Sequence, residues 1–131
     1  VGNEFGATTG RPRRCGWLDL VALKYAVKIN GVTKLMMMKG DVLSGFKKIK
    51  VCTSYEYNGE KIQHFPFSVD TDKIKPIYSE FDGWKEDISK IKTEKAFPKT
   101  FMNYVSYLEK ELQVPIAIIS VGPDRNQTII R

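Results

Sequence analysis

Phe101, Tyr104, Val105, Leu108 and Leu112 recur at spacings of three and four, with Pro98 just ahead of them, so the sequence predicts an amphipathic helix there. The run from Val114 to Ser120 follows at once and reads as a buried strand. A one-sided helix leading into a strand hidden on both faces fits an α/β arrangement. The same order occurs earlier in the chain. Leu18, Leu20, Val21, Leu23, Tyr25, Val27 and Ile29 predict a largely buried helix over residues 17–30 with Gly31 as its C-terminal cap, and Leu35-Met36-Met37-Met38 predicts a strand. These methionines are expected to fill the core rather than hold a soft metal.

The middle of the chain changes period. Ile49, Val51, Thr53, Tyr55 and Tyr57 alternate with Lys48, Lys50, Cys52, Ser54 and Glu56, and Asn58-Gly59 is a two-residue turn signal ahead of Ile62 to Phe67. An antiparallel hairpin is expected, its aromatic face turned to the core and the sole histidine, His64, in a structural place on its second strand. Asp70 to Phe81 carries mixed charge and is interrupted by Pro76, which favours a connecting segment with at most a short strand. Gly83-Trp84 opens a short helix reaching about Ile91. The whole is an α/β class with a mixed sheet, a β-hairpin and two main helices.

Two loops follow strand ends, where open α/β sheets place ligands: Lys39-Gly40-Asp41 and Ser120-Val121-Gly122-Pro123-Asp124-Arg125. If their strands are neighbours, Asp41 and the Ser120 to Gly122 turn share one rim. Residues 2–16 form a third candidate, Gly-Asn-Glu-Phe-Gly-Ala-Thr-Thr-Gly-Arg-Pro-Arg-Arg-Cys-Gly, in which four glycines, two threonine hydroxyls and the forks of Arg11, Arg13 and Arg14 are gathered as nowhere else. Three guanidinium groups so close repel one another until an anion arrives. The N-terminus of the first helix, just beyond, would add its N–H groups to the same field. Composition alone leaves a surface turn, a nonspecific nucleic-acid contact and a phosphate site all open.

A net charge of +6 favours anionic partners without choosing among nucleotides, nucleic acid and phosphorylated metabolites. No apolar run is long enough to span a bilayer and no secretory leader is recognisable, so no membrane partner and a cytoplasmic location are expected. Two cysteines, Cys15 and Cys52, are too few for a disulfide scaffold or a zinc site and are expected as thiols. A ligand loop with no strand before it, and no initiator methionine, leads to the expectation that residues 1–131 are the C-terminal piece of a longer enzyme.

Residues 2–19 closely resemble the signature of the adenylosuccinate synthetase family, and Lys39-Gly40-Asp41-Val42-Leu43, Pro76-Ile77-Tyr78, Gly83-Trp84 and Ser120 to Arg125 fall in order where that family has its counterparts. The resemblance covers the chain and implies the C-terminal portion of a P-loop-like α/β enzyme. In that family GTP phosphorylates the 6-oxygen of IMP and the aspartate amine displaces the phosphate, giving adenylosuccinate in purine biosynthesis. The resemblance implies that Ala7, Thr8, Thr9, Gly10, Arg11, Pro12 and Arg13 bind aspartate, with Arg11 also touching IMP and Arg13 reaching GTP phosphates. It implies that Lys39, Gly40, Asp41, Ser120, Val121 and Gly122 surround guanine. Guanine offers two adjacent donors, ring N1–H and the exocyclic amine, that one carboxylate can accept together; adenine does not. Met38 and Gly40 depart from the residues common at those places.

No phosphate-cradling glycine loop with its lysine, no Mg2+ carboxylate and no paired acid and base can be picked out. The family carries these in its N-terminal portion, so no catalytic residue is assigned here, Mg2+ is expected on that portion, and the isolated chain is expected to be inactive. The partners implied are GTP, IMP and L-aspartate, in an intact homodimer without nucleic acid. The reading from a different class is a basic nucleic-acid-binding module using the arginine loop and the hairpin aromatics.

Overall fold

A computed structural model describes residues 4–70 and 72–131 and arranges them as two sheets and two helices. The late helix and strand follow the sequence pattern. α2 (Lys99–Leu112) buries Phe101, Tyr104, Val105, Leu108 and Leu112 as one stripe, and β6 (Ile116–Ser120) follows. β6 pairs in parallel with β2 (Leu35–Met37) on one side and antiparallel with β7 (Thr128–Ile130) on the other. The exits of β2 and β6 therefore lie together, as a shared rim requires. Leu35 and Met37 pack inward, but Met36 and Met38 are 66% and 64% exposed, so core filling fails for those two methionines. Strand alternation turns them outward.

The early helix is shorter and more exposed than its composition implies. Leu18 and Asp19 form β1, parallel to Val51 and Cys52, and α1 (Leu20–Ile29) starts only after them. Leu20, Leu23 and Val27 share the inward face, while Tyr25 and Ile29 fall on the far side and are exposed. Its C-terminus is closed as expected: Gly31 takes a φ of +59° and the Val32 N–H donates to the Val27 carbonyl at 3.1 Å.

The larger correction concerns residues 74–82, nearly all within the 70–81 stretch expected as a connector with at most a short strand. They form β5 (Ile74–Asp82), which pairs antiparallel along the whole of β3 (Lys48–Tyr57). Pro76 is tolerated because β5 pairs only with β3, so its other side is an edge. The charges that argued for a loop stand opposite one another across the ladder, Lys48 with Asp82 at 2.6 Å, Lys50 with Glu80 at 3.3 Å and Lys75 with Glu56 at 3.2 Å. β4 (Glu60–Ile62), joined through an Asn58-Gly59 turn with both residues at positive φ, is the short partner of β3, and His64 lies exposed beyond its end. β5 fills one edge of β3, so β1 and β4 take successive stretches of the other.

β3 carries a bulge between Cys52 and Ser54. Ile49 and Val51 face the main core, whereas Tyr55 emerges beside Cys52 and Val21. The expected single face from Ile49 to Tyr57 is thus split at Thr53. Tyr55 is nevertheless buried, as an aromatic strand face should be, and its hydroxyl donates to Asp19 at 2.5 Å. No helix starts at Gly83; between Gly83 and Ile91 the chain makes a single helical turn, Ile88–Lys90. Gly83 instead crosses the chain at Phe46, where a Cβ would lie 1.8 Å from the Phe46 carbonyl oxygen. Trp84 beside it is buried, edge-on to Phe101.

Candidate functional site

At the end of β2 the chain turns sharply at Lys39, whose φ of 57° is left-handed, and makes one tight helical turn, Gly40–Leu43. Gly40 is buried where the exits of β2 and β6 meet: a Cβ there would sit 3.4 Å from the Ser120 carbonyl oxygen and 3.5 Å from two carbons of the Phe101 ring. Ala fits by simple contact, but a bulkier residue would press on Phe101. The small residue at the centre of this motif therefore matches the large ring behind it.

The turn sets Asp41 into a cleft of 640 Å³ lined by Lys39, Asp41, Val42, Ser120, Gly122 and Arg125, among others. Asp41 Oδ1 is buried and has no hydrogen-bond partner. A carboxylate oxygen removed from water and left unpaired costs on the order of 1–3 kcal/mol or more, so the geometry lacks a donor. Across the cleft, the Ser120 hydroxyl donates to the Gly122 carbonyl at 3.0 Å, and the Val121 N–H donates to the Gln127 carbonyl at 2.8 Å. Val121 buries its side chain fully in the core. The Gln127 amide fills the space a Cβ on Gly122 would need, 2.2 Å from Oε1. Gln127 also accepts the Asp124 N–H at 3.1 Å and donates to the Ser89 carbonyl at 3.0 Å, while the Asp124 carboxylate accepts the Asn126 N–H at 2.7 Å. This capping box around Arg125–Gln127 holds the second wall.

The opening segment is a narrow loop folded on itself. The Gly6 N–H donates to the Arg11 carbonyl at 2.8 Å, Gly10 to Gly6 at 2.9 Å and Arg13 to Glu4 at 2.9 Å, with Phe5 bridged to Pro12. Gly10 turns the tip with a φ of +64°. Ala7, Thr8, Thr9, Gly10, Arg11, Pro12 and Arg13 are all exposed along it, as is Arg14. Gly2 and Asn3, the first members of the string, lie outside the described residues. Of the α1 N–H groups expected to add to this loop's field, that of Ala22 is taken up by the Asp19 cap at 3.0 Å.

The loop and the cleft are joined by Glu4. One carboxylate oxygen pairs with Lys39 Nζ and the other with Arg13 Nη1 at 3.4 Å. The hydrogen bond from Lys39, followed by the charges of Lys39 and Arg13, holds the Glu4 carboxyl below the usual carboxylate range despite partial desolvation. These are exposed pairs of small energetic worth, so they orient rather than lock. Glu4 had no assigned role in the sequence, since an acid among arginines reads as surface charge. Gln127 was also missed, although Asp124-x-x-Gln127 is a legible capping pattern.

Among the described residues no group of three or more His, Cys, Asp or Glu side chains converges as metal ligands do. Cys15 is an exposed and Cys52 a buried free thiol. No described helix is long and apolar enough to cross a membrane.

Comparison with known proteins gives one consistent match. The sequence model of the adenylosuccinate synthetase family fits residues 1–129. Adenylosuccinate synthetase of Christiangramia forsetii is 63% identical over 131 residues, covering 100% of this chain and 31% of that protein. The Flavobacterium psychrophilum enzyme is 61% identical with the same coverage. A structure of fully ligated adenylosuccinate synthetase from Plasmodium falciparum superimposes with a TM-score of 0.93 at 38% identity, covering 99% of this chain and 32% of that one. The chain thus spans about a third of the length of the curated relatives it matches.

Proposed function

Because the chain belongs to the adenylosuccinate synthetase family, we propose that it supplies the guanine-reading wall and the aspartate loop of a ligase that uses GTP to join IMP and L-aspartate. The observation that carries this reading is the buried, unpartnered Oδ1 of Asp41 in a cleft shared with Ser120 and Gly122. A guanine base laid there would bring N1–H and its amine to that carboxylate, giving two charge-assisted hydrogen bonds. The aliphatic stem of Lys39 would cover the base while its ammonium remains turned to Glu4.

In this reading the exposed Ala7 to Arg13 loop receives aspartate, with Arg11 also reaching IMP. Arg13 exchanges Glu4 for GTP phosphate. Phosphoryl transfer from GTP to the IMP 6-oxygen makes a leaving group, the aspartate amine forms the new C–N bond, and inorganic phosphate departs. The chain's part is to neutralise charge and orient the amine. The phosphate cradle, Mg2+ and the acid–base groups belong to parts of the longer enzyme outside these residues, so the chain by itself makes no adenylosuccinate. A cytoplasmic homodimer without nucleic acid completes the reading.

Asp41→Asn in the full-length enzyme tests it. Weakening two charge-assisted bonds of roughly 1.5–3 kcal/mol each should raise KM for GTP at least about tenfold and erode the preference for guanine over other purine nucleotides. An unchanged GTP requirement refutes the assignment.

A further inference from the structure

The Gly83-Trp84 pair plays no part in the reading above, yet its contacts lead to the Asp41 turn. Trp84 is 1% exposed, and a buried indole N–H requires an acceptor. That acceptor is the Ser44 hydroxyl, 3.2 Å from Nε1. Ser44 closes the Gly40–Leu43 turn, its own N–H donating to the Asp41 carbonyl at 3.0 Å. The main chain of the pair grips the same segment: the Gly45 N–H donates to the Trp84 carbonyl at 2.8 Å and the Gly83 N–H to the Lys47 carbonyl at 3.0 Å. The indole also meets Phe101 edge-on, ring centroids 4.8 Å apart, and Phe101 is the ring that lies against Gly40. The turn bearing Asp41 is thereby held at its start by Gly40 on Phe101 and at its end by Ser44 on Trp84.

We propose that the Trp84 indole N–H and the Ser44 hydroxyl form a positioning pair that fixes the Asp41 turn and so sets how tightly this site holds a guanine base. The inference rests on the reading of Asp41 given above. Ser44 and Trp84 are not among the residues lining the cleft, so they act through Asp41 and not on the base. A carboxylate that must meet two donors at once tolerates only about 0.5 Å of misplacement, and a tight turn released at one end exceeds that easily.

The test is steady-state kinetics on the full-length enzyme carrying Ser44→Ala, Trp84→Phe, both together, and Ser44→Thr. Trp84→Phe keeps an aromatic ring against Phe101 and removes the donor together with part of the buried ring system, whereas Ser44→Ala removes the acceptor alone. Each of the first two should raise KM for GTP about three- to tenfold, the worth of one neutral hydrogen bond. KM for IMP and aspartate, and kcat, should stay within about twofold. The double variant should be no worse than the worse single one, because both lose the same bond, and Ser44→Thr should restore the parent value. An unchanged KM for GTP in Ser44→Ala, a parallel rise of all three KM values, or additive effects in the double variant would overturn the proposal. Should Trp84→Phe fail to fold, Ser44→Ala against Ser44→Thr decides alone. Asp41→Asn assayed alongside separates the two readings: if it weakens GTP binding and Ser44→Ala does not, the pair is wrong and the guanine site stands. If Asp41→Asn changes nothing, both fall.

Discussion

The Ala7 to Arg13 loop and the Asp41 cleft are both glycine-containing turns beside cations, but what stands behind them differs. The loop is exposed along its length and held by its own main chain, with Glu4 as a loose tether to Lys39. The cleft is backed by Phe101, Trp84 and Val121, each nearly or wholly buried, and its second wall is braced by a capping box. A nearly neutral, planar base offers a weak field, so its acceptors must be fixed before it arrives. A dicarboxylate or a phosphate brings its own field and can order exposed arginines on arrival. Under the proposed function, rigidity is placed where the ligand cannot supply it.

The sharpest way to break the contrast is to loosen the backed side. Gly83→Ala puts a methyl group 1.8 Å from the Phe46 carbonyl oxygen, and the crossing strands must separate. A loss of about 3 kcal/mol or more in urea unfolding is expected, against about 1 kcal/mol for Gly10→Ala, where nothing lies within 4 Å and only the positive φ is strained. Equal costs would mean that the two regions are backed alike.

Alkali probes the same side more gently. Burial pushes the Tyr104 phenol up to about 12, above its ordinary value of 10.0. Its folded form therefore keeps the proton longer than the unfolded chain. The stabilisation is fully present below about pH 10 and is lost as pH rises toward about 12, on the order of 2 kcal/mol. Urea midpoints measured at about pH 9 and pH 11 should show this loss, and Tyr104→Phe should reduce it, the remainder coming from Tyr55, Tyr107 and Cys52, whose groups burial also raises. A variant with the parent's pH dependence would exclude Tyr104 as the cause.

The smallest effect is expected on the open side. Glu4→Gln removes the carboxylate that holds Lys39 and Arg13. Being exposed, these pairs should contribute little to stability, and urea unfolding should barely change. KM for aspartate should fall slightly as Arg13 is released, an effect that added salt erases. A large loss of stability would show the loop to be as firmly seated as the cleft.

Much of this was legible because the relevant signals are local. The α2 stripe, the Gly31 cap and the Asn58-Gly59 turn follow from spacing and turn chemistry, whereas the adjacency of β2 and β6 entered only as a condition that the fold fulfils. What was not legible depended on partners distant in sequence. Pro76 and the charges at Lys75, Glu80 and Asp82 read as a loop until Glu56, Lys50 and Lys48 stand opposite them. Tyr25 and Ile29 read as core because composition does not say which side of α1 meets β3 and α2. In the site, the Asp41 motif was visible as a string, but its orphaned oxygen, the Phe101 ring beneath Gly40 and the Glu4 tether exist only once the chain is folded.

The central claim is that Asp41 reads the exocyclic amine and ring N1–H of guanine. Calorimetric titration of the full-length enzyme and its Asp41→Asn form with GDP and with IDP, which lacks only the amine, isolates the amine's share as a double-mutant cycle. The parent should favour GDP by about tenfold or more, and the variant should lose most of that preference, a coupling of roughly 1.5 kcal/mol. An identical GDP-to-IDP ratio in both forms would contradict the account.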